Sequence, residues 1–306
     1  MVQLAESALA ALNWTLEYET GRQKADDSLA VRIGAISGLK TFPVIAQKVI
    51  SLLSKSDFTI DEITDTIRQD PSLAAGVLRL ANSPFYMSTH PITSLDIAFI
   101  RLGRNTVREA IFAVATMQMF PDSRGLGRMI RDHCAAVAAI SHTLSARLRI
   151  GTPEIMFLAG LMHDIGIMLL IDSGEVTYNI GKDTALTDSE SLRAIEMEQV
   201  LFDHAILGAQ VLSRWKVGAP IPQVIAYHHI PELAWQTPEV GSLVALLRIA
   251  DKVELFLEHQ YAERTEFFTE LSTSEEGERL HLTNEKLIEI WNELKDSRQN
   301  ALSLFP

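Results

Sequence analysis

A histidine and an aspartate lie side by side in the most apolar part of the sequence. His163 and Asp164 are at the centre of "FLAGLMHDIGIMLL" (157–170), where an ionised carboxylate without a partner would be costly to bury. The pair therefore either forms internal hydrogen bonds with nearby backbone, or faces a charged group such as a metal ion. The local sequence leaves both alternatives open.

More residues of the same types are spread along the chain. His133 precedes the doublet, and Asp251 follows it in "LLRIADKVE". Helices packed in a bundle can direct such side chains into one cavity. Together with His163 and Asp164 they would form a mixed nitrogen and oxygen set, which suits a borderline or hard divalent ion: Fe, Mn, Mg or Zn.

Three further histidines lie between the doublet and the last aspartate, namely His204, His228 and His229. Asp164 could bridge to a second ion held by His204 and one of the two adjacent histidines, so one or two ions are predicted. Neighbouring residues in a helix diverge by about 100°. We therefore expect at least one of His228 and His229 not to be a ligand. His204 could instead only cap or line a helix face.

The elements that must position these residues are predicted to be helices. Apolar residues recur at helical spacing along most of the chain after Leu39, and we find no strand alternation, repeat or low-complexity segment. Candidate start signals are the capping box Thr59–Glu62 and the N-caps Asp70 and Thr152. We expect "GTPEIMFLAGLMHDIGIMLLI" to form one helix and "SLDIAFIRLG" to end at Gly103. The predicted class is all-α, with "PDSRGLG" as a linker between two halves.

Composition limits the classes of function. The 306 residues are 47% hydrophobic and 22% charged, which is typical of globular proteins. The net charge of −12 argues against non-specific nucleic-acid binding and against anionic membranes, but not against a phosphate-bearing ligand held by a metal. A single cysteine, Cys134, excludes an internal disulfide, and the N-terminus lacks the basic region of a signal peptide. We therefore expect a cytoplasmic protein with no apolar run of membrane-spanning length.

The order H…HD…D resembles the HD superfamily of metal-dependent phosphohydrolases. The fuller pattern resembles the HDOD domain, a bacterial signalling relative of the HD-GYP phosphodiesterases. The motifs that carry this resemblance are "FPVIAQKVISLLS", "IRQDPSLAAGVLRLANSPFY", "ITSLDIAFIRLG", "FLAGLMHDIG", "DHAILGAQVLSRW" and "AYHH". The resemblance implies an all-helical HDOD/HD-like bundle of two lobes. The predicted divisions are a lead-in (1–30), an N-terminal lobe (31–122), an HD-like lobe (123–260) and a C-terminal extension (261–306).

The resemblance also assigns roles to residues. Its metal ligands would be His133, His163, Asp164, His204, His228, His229 and Asp251. Ile167 stands where active HD-GYP enzymes usually have lysine, and the loop after the histidine pair, "IPELAWQTP", lacks the "GYP" sequence. These departures argue against cyclic-dinucleotide hydrolysis.

Three functions stay open at this stage. The first is a bacterial signal-transduction module that acts through a signalling protein partner or a small phosphate-bearing ligand, with a largely retained metal site. The second is an active metal-dependent phosphohydrolase, in which Asp164 would orient or deprotonate a metal-bound water. The third is a metal-free helical scaffold. Monomer and homodimer both remain open.

Overall fold

The structure, a computed structural model, describes residues 33–36, 38, 42–83, 86, 91–119, 125–178, 189–259 and 262–304. Within these ranges the chain is helical and has no strand, so the predicted all-α class is confirmed. The helices are α1 (Val44–Leu53), α2 (Ile60–Arg68), α3 (Pro71–Ala81), α4 (Leu95–Gln118), α5 (Leu126–Leu148), α6 (Pro153–Met162), α7 (Ile165–Ser173), α8 (Ser189–Gln199), α9 (His204–Arg214), α10 (Ile221–Tyr227), α11 (Pro238–His259), α12 (Arg264–Thr273), α13 (Glu275–Arg279) and α14 (Asn284–Leu304). The predicted lead-in and most of the predicted linker lie outside the described residues.

Two of the three predicted capping residues begin a helix through their side chains. The Thr59 hydroxyl accepts a hydrogen bond from the Glu62 N–H, and the Glu62 carboxylate accepts one from the Thr59 N–H. Asp70 Oδ1 accepts a hydrogen bond from the Leu73 N–H at 3.0 Å. Thr152 occupies the N-cap position of α6, but its side chain makes no capping hydrogen bond. That helix begins instead with proline at its first position, where a missing N–H costs nothing.

The prediction of a single helix around the His–Asp doublet is wrong, because the structure has two helices there. Helix α6 ends at Met162 and α7 begins at Ile165. Asp164 has φ −103° and ψ 15°, which is outside the helical region. The doublet therefore lies at a break between two helices. Its two side chains need not point about 100° apart, as they would on one continuous helix. At Gly103 the predicted interruption is present as a kink in α4, with φ 76°.

Helix α5 is central to the fold. It packs against α6, α11 and α14, and one continuous core of buried apolar side chains extends from α1 to α14. Small residues permit the close approach of α5 to α6: a Cβ atom on Gly160 would lie 2.7 Å from the Ala138 Cα. This continuous core marks no boundary between separate units. The predicted divisions at 31–122, 123–260 and 261–306 therefore stay predictions.

The helices α6 and α7 together form the most apolar stretch of the described chain. Pro153–Ser173 has a mean hydropathy of 1.8 and is long enough to cross a membrane by length and composition. The prediction that no apolar run reaches this length is therefore wrong, because two polar residues do not lower the mean enough. Of its most apolar window, 83% is buried inside the protein, as in the core helices of soluble proteins. The cytoplasmic location stays a prediction.

A buried carboxyl group in α4 should make the stability of the folded protein depend on pH. Glu109 is 9% exposed, and its Oε2 atom has no hydrogen-bond partner. Burial and then the charge of Glu154 raise its pKa to about 7, although Arg108 opposes the shift. Because this pKa is raised on folding, the native state binds more protons, so the stabilisation is complete below the unfolded-state value and is lost as pH rises through about 7.

We expect Glu109→Gln to remove this loss. Relative to the wild type, the variant should gain about 1–2 kcal/mol of unfolding free energy between pH 5 and pH 8, a value reduced for partial solvent screening. Denaturant unfolding at several pH values measures it, with the exposed Glu270→Gln as control. An unchanged pH dependence in Glu109→Gln would contradict the assignment.

Candidate metal centre

All seven predicted ligands lie in one cluster inside the helical bundle. They come from α5 (His133), the break between α6 and α7 (His163 and Asp164), the first residue of α9 (His204), the turn after α10 (His228 and His229) and α11 (Asp251). The structure thus brings together residues that are up to 118 positions apart in the sequence. Their role as metal ligands stays a prediction, since the structure contains protein atoms only.

The Asp164 carboxylate lies between two pairs of imidazoles. Its Oδ1 atom is 3.1 Å from the Nε2 atom of His204 and 3.7 Å from that of His228. Its Oδ2 atom is 3.2 Å from the Nε2 atom of His163 and 3.8 Å from that of His133. The two oxygens therefore face two separate sets of nitrogen donors.

Four of the imidazoles are oriented by a contact on the far side of the ring. In each case Nδ1 lies within hydrogen-bond distance of an oxygen and Nε2 is directed toward Asp164. The Nδ1 contacts are His133 to Glu254 (2.7 Å), His163 to the Gly160 carbonyl (2.8 Å), His204 to Glu196 (2.8 Å) and His228 to the Ile225 carbonyl (2.6 Å). A neutral imidazole that donates from Nδ1 carries its lone pair on Nε2, which is the arrangement found in metal-binding histidines.

The two adjacent histidines do not diverge, contrary to expectation. Helix α10 ends at Tyr227, so His228 and His229 lie beyond its last residue, and their ring centroids are 3.9 Å apart. His229 Nε2 is 2.8 Å from His204 Nε2. Both residues belong to the group of possible ligands around Asp164. Both rings therefore lie near Asp164, and the expectation that at least one of them is not a ligand stays a prediction.

The remaining aspartate faces the cluster. Asp251 Oδ1 is 3.1 Å from His133 Nε2, and its side chain is 16% exposed. The ring centroids of His133 and His163 are 5.2 Å apart. His133, His163 and Asp164 of the set predicted for the first ion form one compact group, whereas Asp251 lies outside that group and contacts it through His133.

The electrostatics of the cluster favour an ionised carboxylate. Burial alone would raise the pKa of Asp164, but the adjacent imidazoles of His163 and then of His204 lower it well below its usual value. Burial also opposes protonation of His163, yet the neighbouring Asp164 raises its pKa to about 10. By contrast, burial lowers the pKa of both His228 and His229, which leaves those rings neutral.

Two buried atoms in the centre of the cluster lack hydrogen bonds. Neither Asp164 Oδ1 nor His228 Nε2 forms a well-oriented hydrogen bond, although His204 Nε2 is 3.1 Å from Asp164 Oδ1 and both atoms are acceptors when the groups are ionised and neutral, respectively. Unsatisfied polar atoms are rare in protein interiors, and each needs an explanation. A cation would bind both atoms at once. The residues present therefore fit a divalent metal ion, and the mixed nitrogen and oxygen donors suit Fe, Mn, Zn or Mg.

The residues that orient the histidine rings were not predicted from the sequence. Glu196 is fully buried and contacts His204 through both the ring and the backbone N–H, while Tyr178 donates a hydrogen bond to its Oε1 atom. Glu254 lies one helical turn after Asp251, so the helical period could have suggested it. Nothing in the sequence around Glu196 indicates its role.

A cavity of about 230 Å³ adjoins one side of the cluster. His133, Asp164 and Asp251 line it, together with residues of α5, α8, α11 and α14. A small ligand in this cavity would therefore be next to the predicted ligands of the first ion. The lining residue Arg298 belongs to α14, in the part predicted as a C-terminal extension.

Comparison with known proteins identifies the family. The sequence model of the HDOD domain family matches residues 39–231, which is more than half of the chain. The chain belongs to the HDOD family. The HDOD segment includes six of the seven predicted ligands. Asp251 and the residues Glu254 and Arg298 lie beyond it.

Solved structures share the fold of this HDOD protein over most of its length. An HDOD domain protein of unknown function from Geobacter sulfurreducens is 26% identical, with a TM-score of 0.65 over 92% of this chain and 99% of its own. A Shewanella amazonensis protein, provisionally assigned as a metal-dependent phosphohydrolase, is 18% identical, with a TM-score of 0.66 over 92% of this chain and 98% of its own. At that identity the likeness concerns the fold alone.

A curated relative from Treponema pallidum (strain Nichols) is uncharacterised and 20% identical over 248 residues, or 79% of this chain. The chain spans about half the length of that relative.

Proposed function

We propose that this HDOD protein is a signal-transduction module that holds two divalent metal ions in its HD-like lobe. The observation that carries the proposal is the orientation of four imidazoles, each anchored at Nδ1 and directed at Asp164 through Nε2. Such anchoring fixes the tautomer and the ring for metal binding. A Marinobacter aquaeolei protein of the same fold, 19% identical with a TM-score of 0.57 over 98% of this chain and 65% of its own, is provisionally assigned to signal transduction.

The two ions would share Asp164. His204, His228 and His229 surround its Oδ1 side, whereas His133 and His163 surround its Oδ2 side and Asp251 adjoins His133. When bound, divalent ions of this kind lower the pKa of coordinated water and polarise phosphoryl oxygens. In a signalling module the same ions would stabilise the lobe and fix the relative positions of the five chain segments that contribute ligands.

Metal-dependent hydrolysis of a phosphate ester is the second candidate, and the cavity favours it. Because the cavity adjoins His133, Asp164 and Asp251, a phosphate group could reach the predicted site. Asp164 would then orient or deprotonate the attacking water. Position 167 is occupied by a buried isoleucine, and its uncharged side chain cannot neutralise phosphate charge. We therefore rank the signalling module first.

Metal analysis of protein purified without chelators, combined with an assay of phosphate monoesters and diesters in the presence of Mn²⁺, tests both candidates. Bound metal without turnover supports the signalling module. Metal-dependent turnover supports the hydrolase. Folded protein that binds no divalent metal under any condition would overturn both.

A single substitution should distinguish two ions from one. His228→Phe preserves an aromatic ring but removes the unpaired Nε2 atom on the Oδ1 side of Asp164. We expect the metal content to fall by about half, because the donors on the Oδ2 side are unchanged. The control is His142→Phe, a ring in α5 that packs against Phe157. Unchanged metal content in His228→Phe would contradict the two-ion arrangement.

A further inference from the structure

The cavity beside the metal cluster is strongly acidic. Five carboxylates line it, those of Asp132, Asp164, Asp251, Glu254 and Glu258. Among the described residues that line the cavity, Arg298 is the one arginine or lysine. Without metal ions the cavity would repel an anion, whereas divalent ions at the cluster would offset much of the negative charge.

Arg298 connects the C-terminal helix to the predicted site. Its guanidinium is 3.3 Å from Glu254 Oε1 and is also paired with Glu258. The other oxygen of Glu254 contacts His133 Nδ1 at 2.7 Å. Arg298 is therefore separated from a predicted metal ligand by one carboxylate, and its side chain is 17% exposed, so it is accessible from the cavity.

The two carboxylates that pair with Arg298 differ in how firmly they are held. The Glu254 side chain is 5% exposed and is fixed from two sides, by His133 and by Arg298. The Glu258 side chain is 51% exposed. An exposed ion pair contributes little free energy, so Glu258 can rotate into solvent at small cost.

We propose that Arg298 is the anion-recognition residue of this cavity, and that the phosphate group of a small phosphomonoester replaces Glu258 on its guanidinium. The proposal rests on the proposed function, because the ligand's phosphate would lie between the metal ions and Arg298. A guanidinium presents several donors in a planar fork that matches phosphate oxygens.

The cavity also limits the size and character of the ligand. Its volume of about 230 Å³ is below the range of about 300–1,000 Å³ that is typical of pockets for drug-sized ligands. Met129, Leu255 and Leu302 provide apolar surface on its wall. A phosphomonoester with one ring therefore fits better than a dinucleotide.

Calorimetric titration of the full chain with phenyl phosphate, with and without Mn²⁺, tests the proposal, and the metal content of each sample is measured in parallel. We expect binding only in the metal-loaded protein. Arg298→Gln should weaken it by roughly 10-fold or more, because a charge-assisted hydrogen bond is lost. Glu258→Gln should strengthen it by roughly 3-fold or more, because a competitor for the guanidinium is removed.

The opposite signs separate recognition from a structural role. If the Arg298–Glu258 pair only held α14 against α11, both variants would change the affinity in the same direction. The control is Arg147→Gln, which removes a pair with Glu293 that joins α5 to α14 away from the cavity. It should leave phenyl phosphate affinity unchanged.

Each remaining outcome has one meaning. Metal-loaded wild type that does not bind phenyl phosphate would overturn this inference and leave the metal site intact. Loss of metal from Arg298→Gln would also overturn it, because Arg298 would then act through Glu254 on His133. Wild type that binds no metal would overturn the proposed function instead.

Discussion

Asp164→Asn is expected to abolish stoichiometric metal binding, with a loss of affinity greater than about 100-fold. Asp164 is the residue whose two oxygens face both sets of imidazoles, at 3.1 Å from His204 Nε2 and 3.2 Å from His163 Nε2. An amide has no charge and keeps only one acceptor oxygen, so it cannot bind cations on both sides. Elemental analysis and competition with a fluorescent chelator measure the loss.

A matched control is available in the same cavity. Asp132 lines it, but its carboxylate is half-exposed and pairs with Arg128 at 3.6 Å, so Asp132→Asn should retain its metal. Glu254→Gln, which alters the contact that orients His133, should lie between the two, with a loss of about 10–100-fold. Equal metal content in the wild type and in folded Asp164→Asn would exclude Asp164 as a bridging ligand.

Gly166→Ala is expected to damage the site without changing any predicted ligand. A Cβ atom at Gly166 would lie 2.0 Å from the carbonyl oxygen of His204 and 2.7 Å from its Cα atom. Because the obstacle is backbone, α7 or α9 must shift, and His204 and Asp164 would move relative to each other. We expect a destabilisation of about 1–3 kcal/mol or more, and a loss of metal affinity of at least about 10-fold.

Alanine substitutions at two other glycines serve as comparisons for this result. At Gly208 a Cβ atom would meet the Ile165 Cγ2 atom at 3.1 Å, which a side-chain adjustment can relieve, so its alanine variant should be milder. At Gly218 there is no atom within 4 Å, and alanine should be tolerated. Thermal unfolding and metal titration of the three variants give the ranking. Wild-type stability and affinity in Gly166→Ala would contradict the close packing of α7 on α9.

Much of the fold was predictable because its signals are local. Helical periodicity and the side-chain caps at Thr59 and Asp70 depend on residues three or four positions apart. The helix prediction failed at His163–Asp164, where the apolar run continues but the backbone leaves the helical region. Apolar composition favours burial in either conformation, so it could not reveal the break.

The chemical types of the site residues were also predictable, since a buried His–Asp doublet and five further histidine or aspartate side chains limit the possible chemistry. Their arrangement was not. Sequence spacing gave no means of seeing that Glu196 would anchor His204, or that Arg298 would reach a cavity beside His133. Those contacts join residues from different helices, and their positions depend on how the whole core packs.

Local sequence patterns are enough to predict a helical chain that carries histidines and aspartates of the types that bind divalent metals, in an HDOD pattern. The packing of the helices brings the seven side chains together, places Asp164 between two sets of donors, and brings Arg298 of α14 to the adjoining cavity. The arrangement could not be predicted because the site residues are far apart along the chain. Periodicity and capping act within a few residues, whereas a metal centre and its cavity are assembled by packing among helices that are far apart in sequence.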